Sequence, residues 1–283
     1  MLAHGIGLWT REEQERQDKI DEALSFDEEL HQYAYADKDG KTINPQSVTR
    51  VVHDLFDSFD SKAIASGMVQ RRDFPHSSRY SEYVPLVKQY GSDRETLINQ
   101  ILSKWECDAK KAATLGHELH AAMECRMKDP NYVIPVERGA EYEFGRRYLA
   151  DLESKGWVPL YAERRIYQPK WRIAGSVDAM FVHRATRRCI LVDWKRSKAI
   201  HAFAFGKKTG LGAASTVPDC NLWHYILQLN FYCVMLESPP YNMAFDDMFI
   251  VRLHPNAPEG AAEVFHVPCQ RKLVAQILAE RCI

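Results

Sequence analysis

The chain of 283 residues has an ordinary composition, with 46% hydrophobic residues, 27% charged residues and a formal net charge of -1. This length suits one large domain or one domain with a helical appendage. The near-zero net charge argues against a protein that coats nucleic acid through charge alone. No apolar run approaches the roughly 20 residues that cross a bilayer. Residues 1–30 are acidic, whereas transit peptides are Arg-rich and poor in acids. We therefore expect an intracellular protein with no signal peptide and no membrane partner.

The seven cysteines are scattered along the chain and form no C-x-x-C pair. An odd number without close spacing indicates neither a disulfide framework nor a zinc or iron–sulfur site. We expect reduced thiols and no iron–sulfur cluster.

The N-terminal part predicts a helix, a hairpin and a second helix. Residues 11–31 predict a polar, acidic helix. Residues 33–43 predict a hairpin that turns at Asp37-Lys38-Asp39-Gly40. Ser47 is the predicted N-cap of a helix over residues 48–59, where apolar residues follow the helical period.

The middle of the chain predicts mainly helices. Residues 67–91 are polar, aromatic and interrupted by prolines, which predicts loops and a short helix. Residues 94–127 predict a long helix with a possible break. Residues 136–155 predict another helix, which Gly156 ends as a C-cap.

After Gly156 the hydrophobic pattern changes from a helical to a strand period. Helices that precede a sheet, followed by a crossover helix and further strands, predict an α/β or α+β fold with a mixed central β-sheet flanked by helices. We expect one compact domain overall, in which an N-terminal extension over residues 1–92 packs on a core over residues 93–283. The predicted elements are a strand meander over 158–167, 171–183 and 189–195, a loop over 206–219, a helix over 222–236, strands over 248–253 and 263–267, and a helix over 270–281.

Two short runs on adjacent predicted strands, Gly175-Ser176-Val177-Asp178 and Ile190 to Lys195, carry two carboxylates and a lysine. Because side chains alternate across a strand, Asp193 and Lys195 point to one face and Trp194 to the other. Carboxylate oxygens from neighbouring strands suit Mg²⁺ or Mn²⁺. The pattern therefore predicts a metal pocket with a lysine beside it.

The segment around these runs is strongly basic. From Arg164 to Lys208 there are twelve Lys and Arg residues against two acids, Asp178 and Asp193. A solvated basic face is the plain interpretation. Because the only two acids are the candidate metal ligands, we favour a phosphate-binding surface.

Five motifs in order resemble the PD-(D/E)xK nuclease superfamily, in its RecB-like exonuclease branch. The likeness is greatest to the group of the mitochondrial genome maintenance exonuclease and its relatives in large DNA viruses. Residues 44–60 are also similar to the segment that precedes the core in those proteins. Each motif alone is weak, but the ordered set is specific. The motifs are Gly116-x-x-x-His120, Glu163, Gly175-Ser176-Val177-Asp178, Asp193-Trp194-Lys195 and Gln228-x-x-x-Tyr232.

The resemblance implies a restriction-endonuclease-like core and a divalent metal, Mg²⁺ or Mn²⁺. It implies that Lys195 positions or deprotonates the attacking water, with Asp193 and Asp178 as its catalytic companions. A capping or core role remains the alternative for His120, and a salt bridge at a strand edge for Glu163. The implied metal ligands are His120, Asp178, Asp193, the backbone carbonyl of Trp194, and Glu163.

The resemblance also places Gln228 and Tyr232, which share one helix face, near the scissile phosphate and the DNA backbone. Core packing is the alternative for Tyr232. Four aromatic residues flank the basic loop and could stack on bases, although such residues more often lie in the core. The predicted DNA contacts are Gln228, Tyr232, Arg196, Ser197, Lys198, Lys207 and Lys208, and the four aromatic residues are Phe203, Phe205, Trp223 and Tyr225.

Other interpretations of the same residues are weaker. A zinc protease helix needs two histidines at i and i+4, whereas His117 and His120 are at i and i+3. The run Gly206-Lys207-Lys208-Thr209 lacks the earlier glycine of a phosphate loop. Glu124, one turn beyond His120, is either a site residue or a surface acid.

The sequence therefore predicts a metal-dependent DNA exonuclease that acts on single-stranded or frayed DNA ends, in replication, repair or recombination. One alternative is a structure-specific or site-specific endonuclease of the same fold. Another is a DNA-binding scaffold that has lost catalysis, against which the intact Asp178, Asp193 and Lys195 argue.

Overall fold

The computed structural model describes residues 11–281, which form a mixed six-stranded sheet with helices against it and a separate three-stranded sheet. The predicted fold class, a mixed central sheet flanked by helices, is confirmed. The α-helices are α1 (Arg11–Glu22), α2 (Val48–His53), α3 (Ser61–Val69), α4 (Val84–Tyr90), α5 (Arg94–Lys128), α6 (Ala140–Ser154), α7 (Asn221–Glu237) and α8 (Arg271–Arg281). The strands are β1 (Leu24–Asp27), β2 (Gln32–Ala36), β3 (Thr42–Ile43), β4 (Gln46–Ser47), β5 (Trp157–Gln168), β6 (Ile173–His183), β7 (Cys189–Lys195), β8 (Asp247–Arg252) and β9 (Glu263–His266).

Strand β6 is the centre of the large sheet. It pairs antiparallel with β5 along its length, and its other edge pairs antiparallel with β7 and parallel with β4. The predicted meander of β5, β6 and β7 is therefore confirmed. Strand β8 pairs parallel with β7 after the crossover that contains α7, and β9 pairs with β8 as the predicted edge strand.

The pairing between β6 and β7 ends at Ala179 and Val192. Strand β7 continues beside β8 as far as the pair of Lys195 with Arg252. Strands β6 and β7 therefore separate at Asp178 and Asp193, the residues next to the pair of Ala179 and Val192. This fork positions the candidate site.

The side chains of β7 alternate between two hydrophobic clusters. Val192 and Trp194 pack with Leu119 of α5 and Phe144 of α6. Leu191 packs with the residues of α7. The sheet is thus covered on both faces, and the polar residues Asp193 and Lys195 interrupt the α7 face.

The N-terminal helix is shorter than predicted. Helix α1 ends at Glu22, and Leu24–Asp27 forms β1, which pairs antiparallel with β2. The helix prediction is wrong beyond residue 22, because Leu24 is buried in the core and its strand completes a three-stranded sheet with the hairpin. The hairpin turn itself is confirmed, with Gly40 at φ +78°.

Helix α2 begins as predicted and ends early. The Oγ of Ser47 accepts a hydrogen bond from the backbone N–H of Arg50, which confirms the N-cap. The prediction is wrong beyond His53: the next residues form turns, and the carbonyl of Leu55 accepts from the backbone N–H of Leu211. Asp60 then caps a new helix, α3. Residues 67–91 contain more helix than predicted: the end of α3, a 3₁₀ helix over Ser78–Tyr83, and α4.

The chain forms two compact units. Within the described residues, one contains 11–57 and 118–281, and the other is Ser58–His117. The smaller unit has its own aromatic and aliphatic core, which includes Phe74 and Ile101. The sequence-predicted boundary between residues 92 and 93 falls inside this unit, and all the predicted site residues lie in the larger one.

Two further observations concern the expectations from composition. None of the helices within residues 11–281 is long and apolar enough to cross a membrane. The six cysteines of the described residues are free thiols, and Cys282 lies outside that range.

Candidate metal centre

Three of the predicted ligands converge at the fork between β6 and β7. One nitrogen of His120 and one carboxylate oxygen each of Glu163 and Asp178 lie within 4.8 Å of one another. Within residues 11–281 this is the only group of three or more His, Cys, Asp or Glu side chains close enough to hold one metal ion.

The sheet register explains why the two carboxylates meet. Ala162 pairs with Ala179 and Arg164 with Val177, so Glu163 stands opposite Asp178. Side chains at opposite positions of an antiparallel pair lie on the same face. Glu163 also has φ +48°, a left-handed conformation that is uncommon for a residue with a side chain. Such backbone outliers occur often at functional sites.

The orientation of Asp178 is fixed by the backbone of β7. Its Oδ2 accepts a hydrogen bond from the backbone N–H of Trp194 at 2.8 Å. This side-chain hydrogen bond takes the place of a backbone hydrogen bond between β6 and β7 at the point where the two strands separate. Ser176, two residues earlier on β6, donates its hydroxyl to Glu163 Oε2 at 3.1 Å.

His120 reaches the fork from α5, and the surroundings of its ring set the roles of its two nitrogens. Its Nε2 lies 2.9 Å from the carbonyl oxygen of Trp194. Because a carbonyl only accepts, this contact requires the proton on Nε2. Nδ1 lies 3.4 Å from Glu163 Oε1 and 3.6 Å from Asp178 Oδ2, so in the neutral ring its lone pair faces both carboxylates.

Asp193 and Lys195 form an ion pair beside this cluster. Nζ of Lys195 lies 2.7 Å from Oδ2 of Asp193, whose side chain is 2% exposed. Nevertheless, neither carboxylate oxygen of Asp193 accepts a hydrogen bond of good geometry. Since buried oxygens normally have such partners, Asp193 has coordinating capacity that its protein neighbours leave unused.

Lys195 is held from a second side by α7. Its Nζ donates to Oε1 of Gln228 at 3.3 Å and lies 4.8 Å from the centre of the Tyr225 ring. The Nε2 group of Gln228 donates to the hydroxyl of Tyr232 at 3.0 Å and lies 3.5 Å from Oγ1 of Thr49. The Lys195 side chain is 18% exposed, and these contacts orient its ammonium group.

The buried charges strongly perturb one another. Burial raises the pKa of Asp178. The charge of His120 lowers this pKa, and the charge of Glu163 raises it further. Burial likewise raises the pKa of Asp193 to about 6, against the attraction of Lys195. Burial disfavours protonated His120, but Asp178 and Glu163 outweigh it and raise its pKa to about 9. The pKa of Lys195 is raised as well, because Asp193 and Asp178 outweigh its burial.

These residues fit a hard divalent cation. The cluster offers carboxylate oxygens and one imidazole nitrogen, a donor set that suits Mg²⁺ or Mn²⁺. Burial raises the pKa of Asp178 and of Asp193 even though Lys195 pairs with Asp193, so the site is short of positive charge. A bound cation would supply that charge.

The predicted DNA contacts do not all lie together on the surface. Tyr232 is 3% exposed and packs against Gly175, where an added Cβ would lie 2.6 Å from its ring. Arg196 forms a buried ion pair with Glu141 at 2.8 Å. Ser197 donates its hydroxyl to the backbone of Ala199. Gln228 is half-buried in the lysine network, and Lys198, Lys207 and Lys208 are exposed.

Much of the positive charge between Arg164 and Lys208 is neutralised by acids elsewhere in the chain. Arg164 pairs with Asp21, and Arg188 pairs with Asp246 and Asp247. The sequence excess is therefore not one continuous basic face. Glu124, for which two interpretations stood open, forms an ion pair with Lys128 one helical turn later.

Three contacts were not predicted from the sequence. Thr49 lies beside Gln228, Ser176 binds Glu163, and Tyr225 lies beneath Lys195. A helical spacing of i, i+3 and i+7 already places Tyr225, Gln228 and Tyr232 on one face of α7. Ser176 and Asp178 likewise share a face of β6. No local signal in the sequence relates Thr49 to α7.

No protein-family model matches the chain, and no curated protein matches it with significant similarity.

Proposed function

We propose that this chain is a Mg²⁺- or Mn²⁺-dependent deoxyribonuclease that removes nucleotides from single-stranded or frayed DNA ends, in replication, repair or recombination. One observation supports this most: a His120, Glu163 and Asp178 cluster stands beside the ion-paired Lys195. The order of the motifs, which resembles that of the PD-(D/E)xK nucleases, suggests the class of reaction.

The reaction would be hydrolysis of a phosphodiester. A water oxygen attacks the phosphorus, the bond to one deoxyribose oxygen breaks, and that oxygen leaves with a proton that the water gives up. A bound Mg²⁺ or Mn²⁺ would lower the pKa of a coordinated water and offset the charge of the phosphate. His120, Glu163 and Asp178 would hold the ion, with Asp193 at the edge of the site.

Lys195 would act as a positioned cation. Its raised pKa keeps the ammonium form, so at neutral pH it donates hydrogen bonds rather than accepting a proton. Asp193 and Gln228 fix its direction from two sides. An oriented ammonium group can align the attacking water and stabilise the negative charge that develops on the phosphate oxygens.

The direct test is digestion of DNA labelled at the 5′ or the 3′ end, with Mg²⁺, with Mn²⁺ and with EDTA. A covalently closed single strand of the same sequence is the companion substrate. We expect the linear strand to shorten only with the metal and the circle to persist. Cleavage of the circle would favour the endonuclease alternative, and DNA binding without any cleavage would favour the scaffold.

Lys195→Ala tests the mechanism with the fold kept intact. We expect loss of cleavage with the fold and DNA binding largely retained, and a lower unfolding temperature because the buried Asp193 loses its ion partner. Lys170→Ala is the matched control, since Lys170 is an exposed lysine of the same basic segment that lies over Trp171. Full activity of Lys195→Ala would contradict the mechanism.

A further inference from the structure

The segment between β7 and α7 carries the two most exposed large apolar side chains in the described part of the chain. Phe203 is 88% exposed and Phe205 is 84% exposed. Both lie within residues 202–207, which we name the aromatic loop. Trp223 and Tyr225, the other two aromatic residues of the predicted stacking set, instead pack against the core.

The exposure of the two rings is built into the fold. On one side, Asn221 donates to the carbonyl of Ala199 and accepts from the backbone N–H of His201, both at 2.8 Å. On the other side, the backbone N–H of Asp219 donates to the carbonyl of Lys208 at 2.9 Å. The aromatic loop therefore projects between two hydrogen-bonded ends.

The segment that carries the aromatic loop is basic in sequence. No Asp or Glu occurs between Asp193 and Asp219, although Glu280 of α8 accepts a hydrogen bond from the backbone N–H of Ala213. Lys198, Lys207 and Lys208, which flank the two rings in the sequence, are exposed. Aromatic rings interleaved with cations match unpaired nucleic acid, since bases stack on the rings and phosphates pair with the lysines.

Both ends of this segment belong to the elements of the candidate metal centre. It begins directly after Lys195 at the end of β7 and ends where α7 begins. Helix α7 carries Tyr225 and Gln228, which contact Nζ of Lys195. The segment that carries the aromatic loop therefore connects two elements of the centre.

We infer that the aromatic loop is a stacking platform for unpaired bases of the strand whose phosphodiester reaches the metal centre. The inference rests on the proposed function and deepens it, because it assigns the recognition of unpaired bases to Phe203 and Phe205. Bases paired within a duplex expose no free face for Phe203 and Phe205, so duplex DNA binds this surface less well.

The test measures the binding of fluorescein-labelled oligothymidylate by anisotropy, with EDTA present so that no cleavage occurs. The variant is Phe203→Ala with Phe205→Ala, and Phe59→Ala is the matched control, since Phe59 is 72% exposed in the smaller unit. We expect roughly tenfold or more weaker binding for the double variant and unchanged binding for the control.

An abasic strand of equal length separates stacking from charge. The wild type should bind the abasic strand more weakly than oligothymidylate. On the abasic strand, the double variant should bind almost as well as the wild type. Phe203→Trp with Phe205→Trp should restore the affinity for oligothymidylate. Equal losses on both strands, or no loss on either, would overturn the inference.

Two other results are equally decisive. Unchanged oligothymidylate binding with lost binding to anionic phospholipid vesicles would assign the loop to a membrane surface and overturn the inference. Binding of oligothymidylate that depends on the two rings, in a protein that cleaves no DNA, would support the platform and refute the nuclease. The two proposals therefore fail separately.

Discussion

Two neighbouring residues of β5 lead into two very different polar clusters. Arg164 is 4% exposed, and its guanidinium donates to Asp21 at 2.7 Å and to Gln17 at 2.8 Å. It also lies 3.9 Å from the centre of the Tyr161 ring. Opposite charges and hydrogen bonds here satisfy a buried cation, so this cluster joins α1 to the sheet.

Glu163 belongs instead to a cluster in which acids lie next to one another. It stands with Asp178 and His120 at the fork, and Lys195 is the ion partner of the nearby, buried Asp193. Burial raises the pKa of both Asp178 and Asp193, so ionising them costs stability. The two clusters differ in their balance of charge: Arg164 pairs directly with Asp21, whereas three acids lie near one histidine and one lysine at the fork. This excess of acids is what favours a cation at the fork and a structural role for the Arg164 cluster.

The largest effect should follow from Asp193→Asn. We expect a loss of cleavage of about a thousandfold or more, since both the ion partner of Lys195 and a candidate ligand change. The metal-free variant should unfold at the same temperature or higher, because a costly buried charge is removed. Steady-state digestion measures the loss of cleavage, and calorimetry measures the unfolding temperature. A large drop in the unfolding temperature would show that Asp193 stabilises the fold.

Arg164→Ala should show the reverse pattern. Removing the guanidinium leaves Gln17 and Asp21 without their partner, and we expect a loss of about 3 kcal/mol in the free energy of unfolding. Denaturant unfolding measures the loss, and the activity per folded molecule should stay unchanged. Wild-type stability in this variant would show that the Arg164 cluster is not structural.

The stability of the metal-free protein should depend on pH through the acids and the histidine at the fork. The pKa of Asp193 rises from its ordinary 3.8 to about 6, and that of His120 from 6.5 to about 9. In both cases the folded state binds protons more strongly, so these groups stabilise the fold at low pH. The contribution of Asp193 is lost between about pH 4 and 6, and that of His120 between about pH 6.5 and 9.

Comparison with Asp193→Asn isolates the Asp193 contribution. In EDTA, the stability of the wild type relative to this variant should fall as the pH rises from 4 to 6. Unfolding followed by circular dichroism at each pH gives the difference. A difference that is flat, or that rises with pH, would show that Asp193 is not destabilised in the folded protein.

The smallest effect is expected at Gln228. Gln228→Ala removes one of the two contacts that orient Lys195, while Asp193 retains the other. We expect a fall of roughly tenfold in kcat, with little change in KM, since the residue positions a catalytic group. Rates at saturating DNA test this, and a loss confined to KM would assign Gln228 to DNA binding instead.

The sequence predicted the fold well where the pattern is local. The alternation in β7 and the apolar run of α7 gave nearly the observed bounds. The pattern failed where tertiary pairing decides the structure: Leu24–Asp27 became a strand because the hairpin offered an edge. Asp60 likewise began a helix that the apolar period of the preceding segment did not predict.

The sequence identified the residues of the candidate site but not the contacts between them. His120 lies 43 positions before Glu163, and only the folded register brings them together. Thr49 and the burial of Tyr232 depend on how α7 packs, which no short motif encodes. The commitment of Arg196 to Glu141 shows why a count of basic residues overestimates the surface available to phosphate.

Titration of the metal-free protein with Mn²⁺ by calorimetry tests the central claim most directly. The under-satisfied cluster predicts that the wild type binds Mn²⁺ and that Asp178→Asn binds it at least tenfold more weakly. Asp21→Asn, in the satisfied cluster, should bind Mn²⁺ as the wild type does. A folded wild type that binds no Mn²⁺, or an Asp178→Asn variant with undiminished affinity, would contradict the account.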